Sequence, residues 1–392
     1  MKLESIIEHE EARRKAFPVV SKSVFLGHAG VAPLPRATAD LMREFLDRGS
    51  YHKQEGAWTE TWVAAARKHA AELLGADADE IALLGPTSLG LSLVAAGLPW
   101  EEGDEVVYYQ DDYPANVYPW TALARRGVKP VALKPDAAGV ITWEVVEAAL
   151  TDRTRLVSLA SAHFLSGFRI DVDTIGQNLH ERGILFCVDG IQTLGAFPLH
   201  VEHVDFLSAD SHKWMLGPAG AGLVYVSRDK FDLLQPALLG SWNVVSPQFI
   251  AQETIDFYDG ARRYEPGMLN LPGIVGMAAS LEMLLSVGIE AIAERILHLR
   301  SVLIEEFGSL GYRQYIEDRD RSAAASNAER SGIITVFHPD KNMDKVAHHL
   351  QAADIVVSLR HNREGKAFLR FSPHFYNTEA ELAHVVEVLG RS

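Results

Sequence analysis

Two segments hold residue types whose spacing could do covalent chemistry. In VDGIQTLGAFPL, Asp189 falls at the end of a predicted strand with Gln192 three residues on. In SADSHKWMLGPAGAGLVYV, Lys213 falls just past the end of the next strand. The carboxyl ends of strands in an open parallel sheet line the ligand crevice, so these three side chains are expected to meet there. A lysine sheltered in a cleft loses basicity, which leaves its amine nucleophilic toward an aldehyde. A carboxylate beside a pyridine nitrogen favours the protonated ring and its use as an electron sink. Pyridoxal phosphate (PLP) needs both groups, and its phosphate needs backbone donors at a helix start. LGPTSLGLSLVAAGL offers those donors, with Thr87 and Ser88 opening a helix after a Gly-Pro turn. Each residue also has a structural reading: an N-cap for Thr87 and Ser88, a turn for Asp189, a surface position for Lys213.

The elements that must position these residues are visible in the pattern. From about 80 to 226, short β-rich runs alternate with helical stretches, as in a parallel sheet wrapped by helices. The candidate strands are EIALL (80–84), EVVYY (105–109), PVAL (130–133), RLVSLA (155–160), ILFCVD (184–189), VDFLSA (204–209) and AGLVYV (221–226). Several are apolar without alternation, which fits strands covered on both faces. Farther on, GIITVF, ADIVVSL and AFLRFS read as strands around the helix KNMDKVAHHLQ, and Thr378 with Glu381 forms a capping box for a closing helix. The expectation is an α/β protein: a large domain over 21–260 with a mostly parallel seven-stranded sheet, and a smaller α/β domain from 1–20 and 261–392.

Composition narrows the function. At 47% hydrophobic and 23% charged residues the chain is a folded globular protein. Its 37 Lys+Arg against 52 Asp+Glu leave a net charge of -15, which repels nucleic acid and anionic membranes, so neither is expected as a partner. No run is apolar enough to read as a signal peptide or a membrane span, and Cys187 is the only cysteine. A cytoplasmic location without disulfides is expected. No metal site is expected, because no His and carboxylate cluster has ligand spacing.

SHKWMLGPAGAG, VDGIQTLGAFPL and GPTSLGLSLVAAG together resemble the class V aminotransferase family of fold type I PLP enzymes. That family includes cysteine desulfurases, selenocysteine lyases, kynureninase and isopenicillin N epimerase-like proteins. The likeness runs from HAGVAPLP to LRFSPHFYNT. It implies that Lys213 carries PLP as an internal aldimine and removes the α-proton of a small amino acid. Asp189 would partner the pyridinium, Gln192 the cofactor hydroxyl, and Thr87, Ser88 and His212 the phosphate. Tyr113 takes the place where desulfurases stack a histidine on the ring, and His163 falls where relatives carry Asn or Gln. Arg370 matches the arginine that grips the substrate carboxylate, a task suited to its bidentate fork. The family also implies a homodimer with the active site near the interface, where Trp242 is either an anchor or a reach toward the partner's cofactor.

Departures from the family pattern limit the chemistry. Persulfide-forming desulfurases need a mobile cysteine shortly before that arginine, and SLRHNREGKAF has none, while Cys187 sits in a predicted buried strand. Asp210 replaces a serine common three residues before the lysine, and GMLN (267–270) lacks a threonine that some relatives lend to the partner's phosphate. The first expectation is an aminotransferase or lyase acting on a small amino acid. The alternatives are a C–S lyase without a catalytic cysteine, an amino-acid epimerase, or a non-catalytic PLP-binding protein, among which the fold does not choose.

Overall fold

The computed structural model describes residues 3–316 and 328–391. A short strand β1 (Val24–Phe25) precedes a seven-stranded sheet of β2 (Ile81–Ala82), β3 (Glu105–Tyr108), β4 (Lys129–Ala132), β5 (Thr154–Ala160), β6 (Leu185–Asp189), β7 (Phe206–Asp210) and β8 (Gly222–Val226). All seven expected strands form, each within two residues of its expected bounds. Their spatial order is β2-β8-β7-β6-β5-β3-β4, and β8 alone runs against the rest. Every residue of β6, β7 and β8 is buried, because alternate side chains enter two separate apolar layers. Val188 and Leu207 face one layer with the helix Leu271–Val287, while Cys187 and Phe206 face the other with the helix Thr87–Gly97. That second helix sits so close to the sheet that a Cβ on Gly90 would lie 2.3 Å from Ser208 Oγ. The approach fixes where its N-terminus stands relative to the end of β7.

The remaining strands are β9 (Arg313–Gln314), β10 (Ile334–Phe337), β11 (Ile355–Val356), β12 (Ser358–His361) and β13 (Ala367–Phe371). An antiparallel sheet runs β12-β13-β10-β9. The run ADIVVSL, expected as one strand, is two. β11 pairs in parallel with β1, whereas β12 turns away to pair with β13. The closing helix Glu379–Gly390 carries the expected reciprocal capping box between Thr378 and Glu381.

Packing does not change partner at residue 261. Ile274, Met277 and Leu281 of Leu271–Val287 share an apolar cluster with Val188 and Leu207. After a bend of 80° at Gly288, the helix Ile289–Ser309 places Leu299, Leu303 and Phe307 against β10 and β13. No single helix among the described residues is long and apolar enough to cross a membrane.

Candidate active site

Lys213 lies three residues beyond β7, in a loop folded back on itself. Gly217 donates to the Ser211 carbonyl at 2.8 Å, and a Cβ on Gly217 would lie 2.4 Å from Ser211 Oγ, so the turn accepts only glycine there. The Lys213 amine is almost wholly removed from water. Burial pulls its pKa down to about 8, against the raising effect of Asp189, and Arg370 and Arg360 lower it further. Its Nζ stands 5.5 Å from the centroid of the Tyr113 ring, which is otherwise half exposed.

Asp189 ends β6, the strand beside β7, and is 3% exposed. One carboxylate oxygen accepts the Ile191 N–H at 2.9 Å and the other accepts Asn116 Nδ2 at 2.8 Å. Burial still raises its pKa, because two neutral donors do not replace water around a charge. Asp112 lies near enough to Asp189 and Lys213 to feel both charges, and burial pushes its carboxyl up to about 7.

Gln192 is oriented by a neighbour that can only donate. Trp214 Nε1 gives its proton to Gln192 Oε1 at 2.9 Å, which makes the other end of the amide the donor, at 3.3 Å from the Ala29 carbonyl. One N–H of that amide is left for another acceptor. Gly195, at φ +89°, lets the loop pass beneath Trp214, where a Cβ would lie 2.6 Å from the Trp214 carbonyl oxygen.

At the head of the helix Thr87–Gly97 no side chain caps the first turn. Thr87 Oγ1 accepts the Asp210 N–H at 2.9 Å, and the Asp210 carboxylate receives His212 Nδ1 at 2.6 Å and the Gly220 N–H at 3.0 Å. Asp210 therefore joins Thr87 and His212 into one hydrogen-bonded corner. Because a carboxylate accepts only, the His212 proton sits on Nδ1 and Nε2 is the nitrogen left for a ligand. Ser88 is exposed at the same turn.

Arg370, in β13, is 1% exposed. Its Nη1 donates to the Phe164 carbonyl at 2.7 Å, Nη2 lies 3.4 Å from Ser358 Oγ, and among the described residues Nε has no partner. Among the described residues no carboxylate pairs with it, and burial pulls its pKa down to about 9. His163 stands differently. Its Nδ1 accepts the Ser166 N–H at 3.1 Å and its Nε2 lies 3.2 Å from the Asp111 carbonyl oxygen, so both nitrogens are occupied within the protein. That geometry favours a packing role over a bond to the cofactor. Trp242 lines a separate cleft of about 770 Å3 with Thr59, Arg67, Arg262 and Leu269.

The Aminotransferase class-V family profile matches residues 24–385. The chain belongs to the class V aminotransferase family. It is 28% identical to a probable cysteine desulfurase of Methanothermobacter thermautotrophicus over 98% of both chains. Its fold matches a cysteine desulfurase from Thermococcus onnurineus with a TM-score of 0.87, at 23% identity over 97% of each chain. It also matches C-DES, described as a cystine C-S lyase. One C-DES structure carries glycine covalently linked to the PLP cofactor (TM-score 0.85, 20% identity, 96% and 98% coverage), and another holds its product cysteine persulfide (TM-score 0.84, 20% identity, 95% and 99% coverage).

The residues present fit the cofactor that class V membership implies. A buried amine of lowered pKa, a buried carboxylate across from it, an uncapped helix start beside His212 and one spare Gln192 N–H match its aldehyde, ring nitrogen, phosphate and hydroxyl. Asn116, Asp112 and Arg360 escaped the sequence reading. The signal for Asn116 was its position three residues after Tyr113 in YPANVYPW. Its partner Asp189, however, lies 73 residues away.

Proposed function

We propose that this class V enzyme holds PLP on Lys213 and breaks the Cα–H bond of a small amino acid whose carboxylate is gripped by Arg370. The observation that carries the reading is the pairing of two buried groups, the second of which lowers the pKa of the first: an amine with a pKa of about 8, and a guanidinium with no carboxylate partner among the described residues. PLP, when bound, supplies the aldehyde that takes the substrate amine and a ring that draws off the electron pair of the broken bond. Asp189 keeps that ring nitrogen protonated, and Asn116 with the Ile191 N–H holds the carboxylate in place. Thr87, Ser88 and His212 would hold the phosphate, Tyr113 would cover the ring face, and Gln192 would donate to the hydroxyl. Lys213, as a free amine, would accept the α-proton, and burial makes its neutral form accessible near neutral pH.

A second reading, cleavage of a C–S bond with no persulfide on the enzyme, has its own support. Cys187 is fully buried in β6, and burial pushes its thiol pKa up, so it supplies no thiolate. C-DES, the similar protein, is described as a cystine C-S lyase. A homodimer is proposed from the exposed apolar side chains between Leu238 and Met268 beside the Trp242 cleft. The cytoplasm is the proposed location.

The test is the visible spectrum of the purified protein and of Lys213→Ala, incubated with PLP and then with single amino acids. The wild type is expected to show a cofactor band that shifts with amino acids, and Lys213→Ala to lose the native band. A wild type without such a band after excess PLP would end this reading. Release of cysteine persulfide from cystine, or of sulfide from cysteine, together with pyruvate and ammonia, would select the lyase over the transferase.

A further inference from the structure

The register of β12 against β13 places a second arginine beside the first. Ser358 lies opposite Arg370 and Arg360 opposite Phe368. Residues two apart on a strand share a face, so Arg360, Ser358 and Arg370 project from the same side of the sheet. β12 is an edge strand, so its exposed flank is covered by no further strand. The turn after it is drawn toward the loop that follows β3. Arg363 forms an ion pair with Asp111, and its Nη2 donates to the Gln110 carbonyl at 2.9 Å. That clasp sets the β12–β13 hairpin against the loop carrying Asp112 and Tyr113, and it engages the Asp111 carboxylate. Among the described residues the only hydrogen bond of the Arg360 guanidinium is a long one, 3.4 Å, to its neighbour's carbonyl at Leu359. Among the described residues no carboxylate lies within ion-pair distance of it. It is half-buried, and its charge lowers the proton affinity of both Lys213 and Arg370, so it lies within electrostatic reach of the two.

Two unneutralised guanidinium groups on one face, both within electrostatic reach of Lys213, exceed what one α-carboxylate requires. Building on the proposed reading of Lys213 and Arg370, we propose that Arg360 receives a second anionic group on the substrate's side chain. The preferred substrates are then amino acids with an acidic side chain, a carboxylate or a sulfinate, with the α-carboxylate on Arg370. Placing like charges together is costly in the free protein, and a substrate carrying two negative charges relieves that cost while a neutral side chain does not.

The experiment is a titration of the cofactor band of the holoenzyme with L-alanine, L-aspartate and L-cysteine sulfinate, repeated on Arg360→Met and Arg360→Lys. In the wild type the acidic amino acids are expected to bind at least about tenfold more tightly than alanine, the size of one charge-assisted hydrogen bond. Arg360→Met should bring that ratio close to one, and Arg360→Lys should restore part of it. A wild-type ratio near one, or a ratio that Arg360→Met leaves intact, overturns the inference while leaving the PLP reading standing. A holoenzyme band that responds to none of the three overturns both.

Discussion

Lys213 and Asp189 are both taken out of water, and desolvation moves their proton affinities in opposite directions, down for the amine and up for the carboxyl. The amine consequence is testable in the cofactor-free protein. Only the neutral amine attacks an aldehyde, so the rate of PLP capture should rise with pH through about 8 and flatten above it. An exposed lysine would keep climbing toward its ordinary value of about 10.4. Stopped-flow growth of the visible band across pH 6.5 to 10 measures the midpoint, and a midpoint near 10 would show that the amine is not sheltered. These two residues were legible in the sequence because strand ends announce themselves in one dimension. Asn116 and Arg360 were not, since each acquires meaning from a partner or a sheet register that only the folded chain supplies.

At the scale of elements, local chemistry was the readable part. Apolar runs marked all seven strands of the large sheet, and Thr378 with Glu381 marked the start of the last helix. The division of ADIVVSL was hidden because β11 takes its partner from β1, more than 300 residues upstream, and nothing local signals that pairing. The Thr378 cap offers a clean measurement. Its hydroxyl accepts the Glu381 N–H, so Thr378→Ala leaves that donor without its partner and should cost about 1 kcal/mol. A lower urea midpoint with an unaltered cofactor band is the expected pair of results, given that the helix lies outside the site. An altered band would show instead that the closing helix positions Arg370.

For the whole molecule, the open question is what covers the segment around residues 238–268. Phe249 is 77% exposed, Ile250 60%, Ile255 57% and Met268 58%, and side chains of this size crowded into one region are seldom left to water. The charge of -15 on each chain argues against indiscriminate association, so a copy docking here must gain enough from apolar burial to overcome mutual repulsion. That balance gives the dimer a distinctive salt response. Screening weakens the repulsion between copies and leaves apolar contact intact, so sedimentation should find a species of roughly twice 43.2 kDa whose dissociation constant falls as salt rises from 0.05 to about 0.5 M. Phe249→Asp should raise that constant at least tenfold without changing the far-ultraviolet spectrum, because the residue makes no core contact within its own chain. An interface held by ion pairs would respond to salt in the opposite sense, and a species of 43.2 kDa at all salt concentrations would mean that the exposed segment serves some other partner.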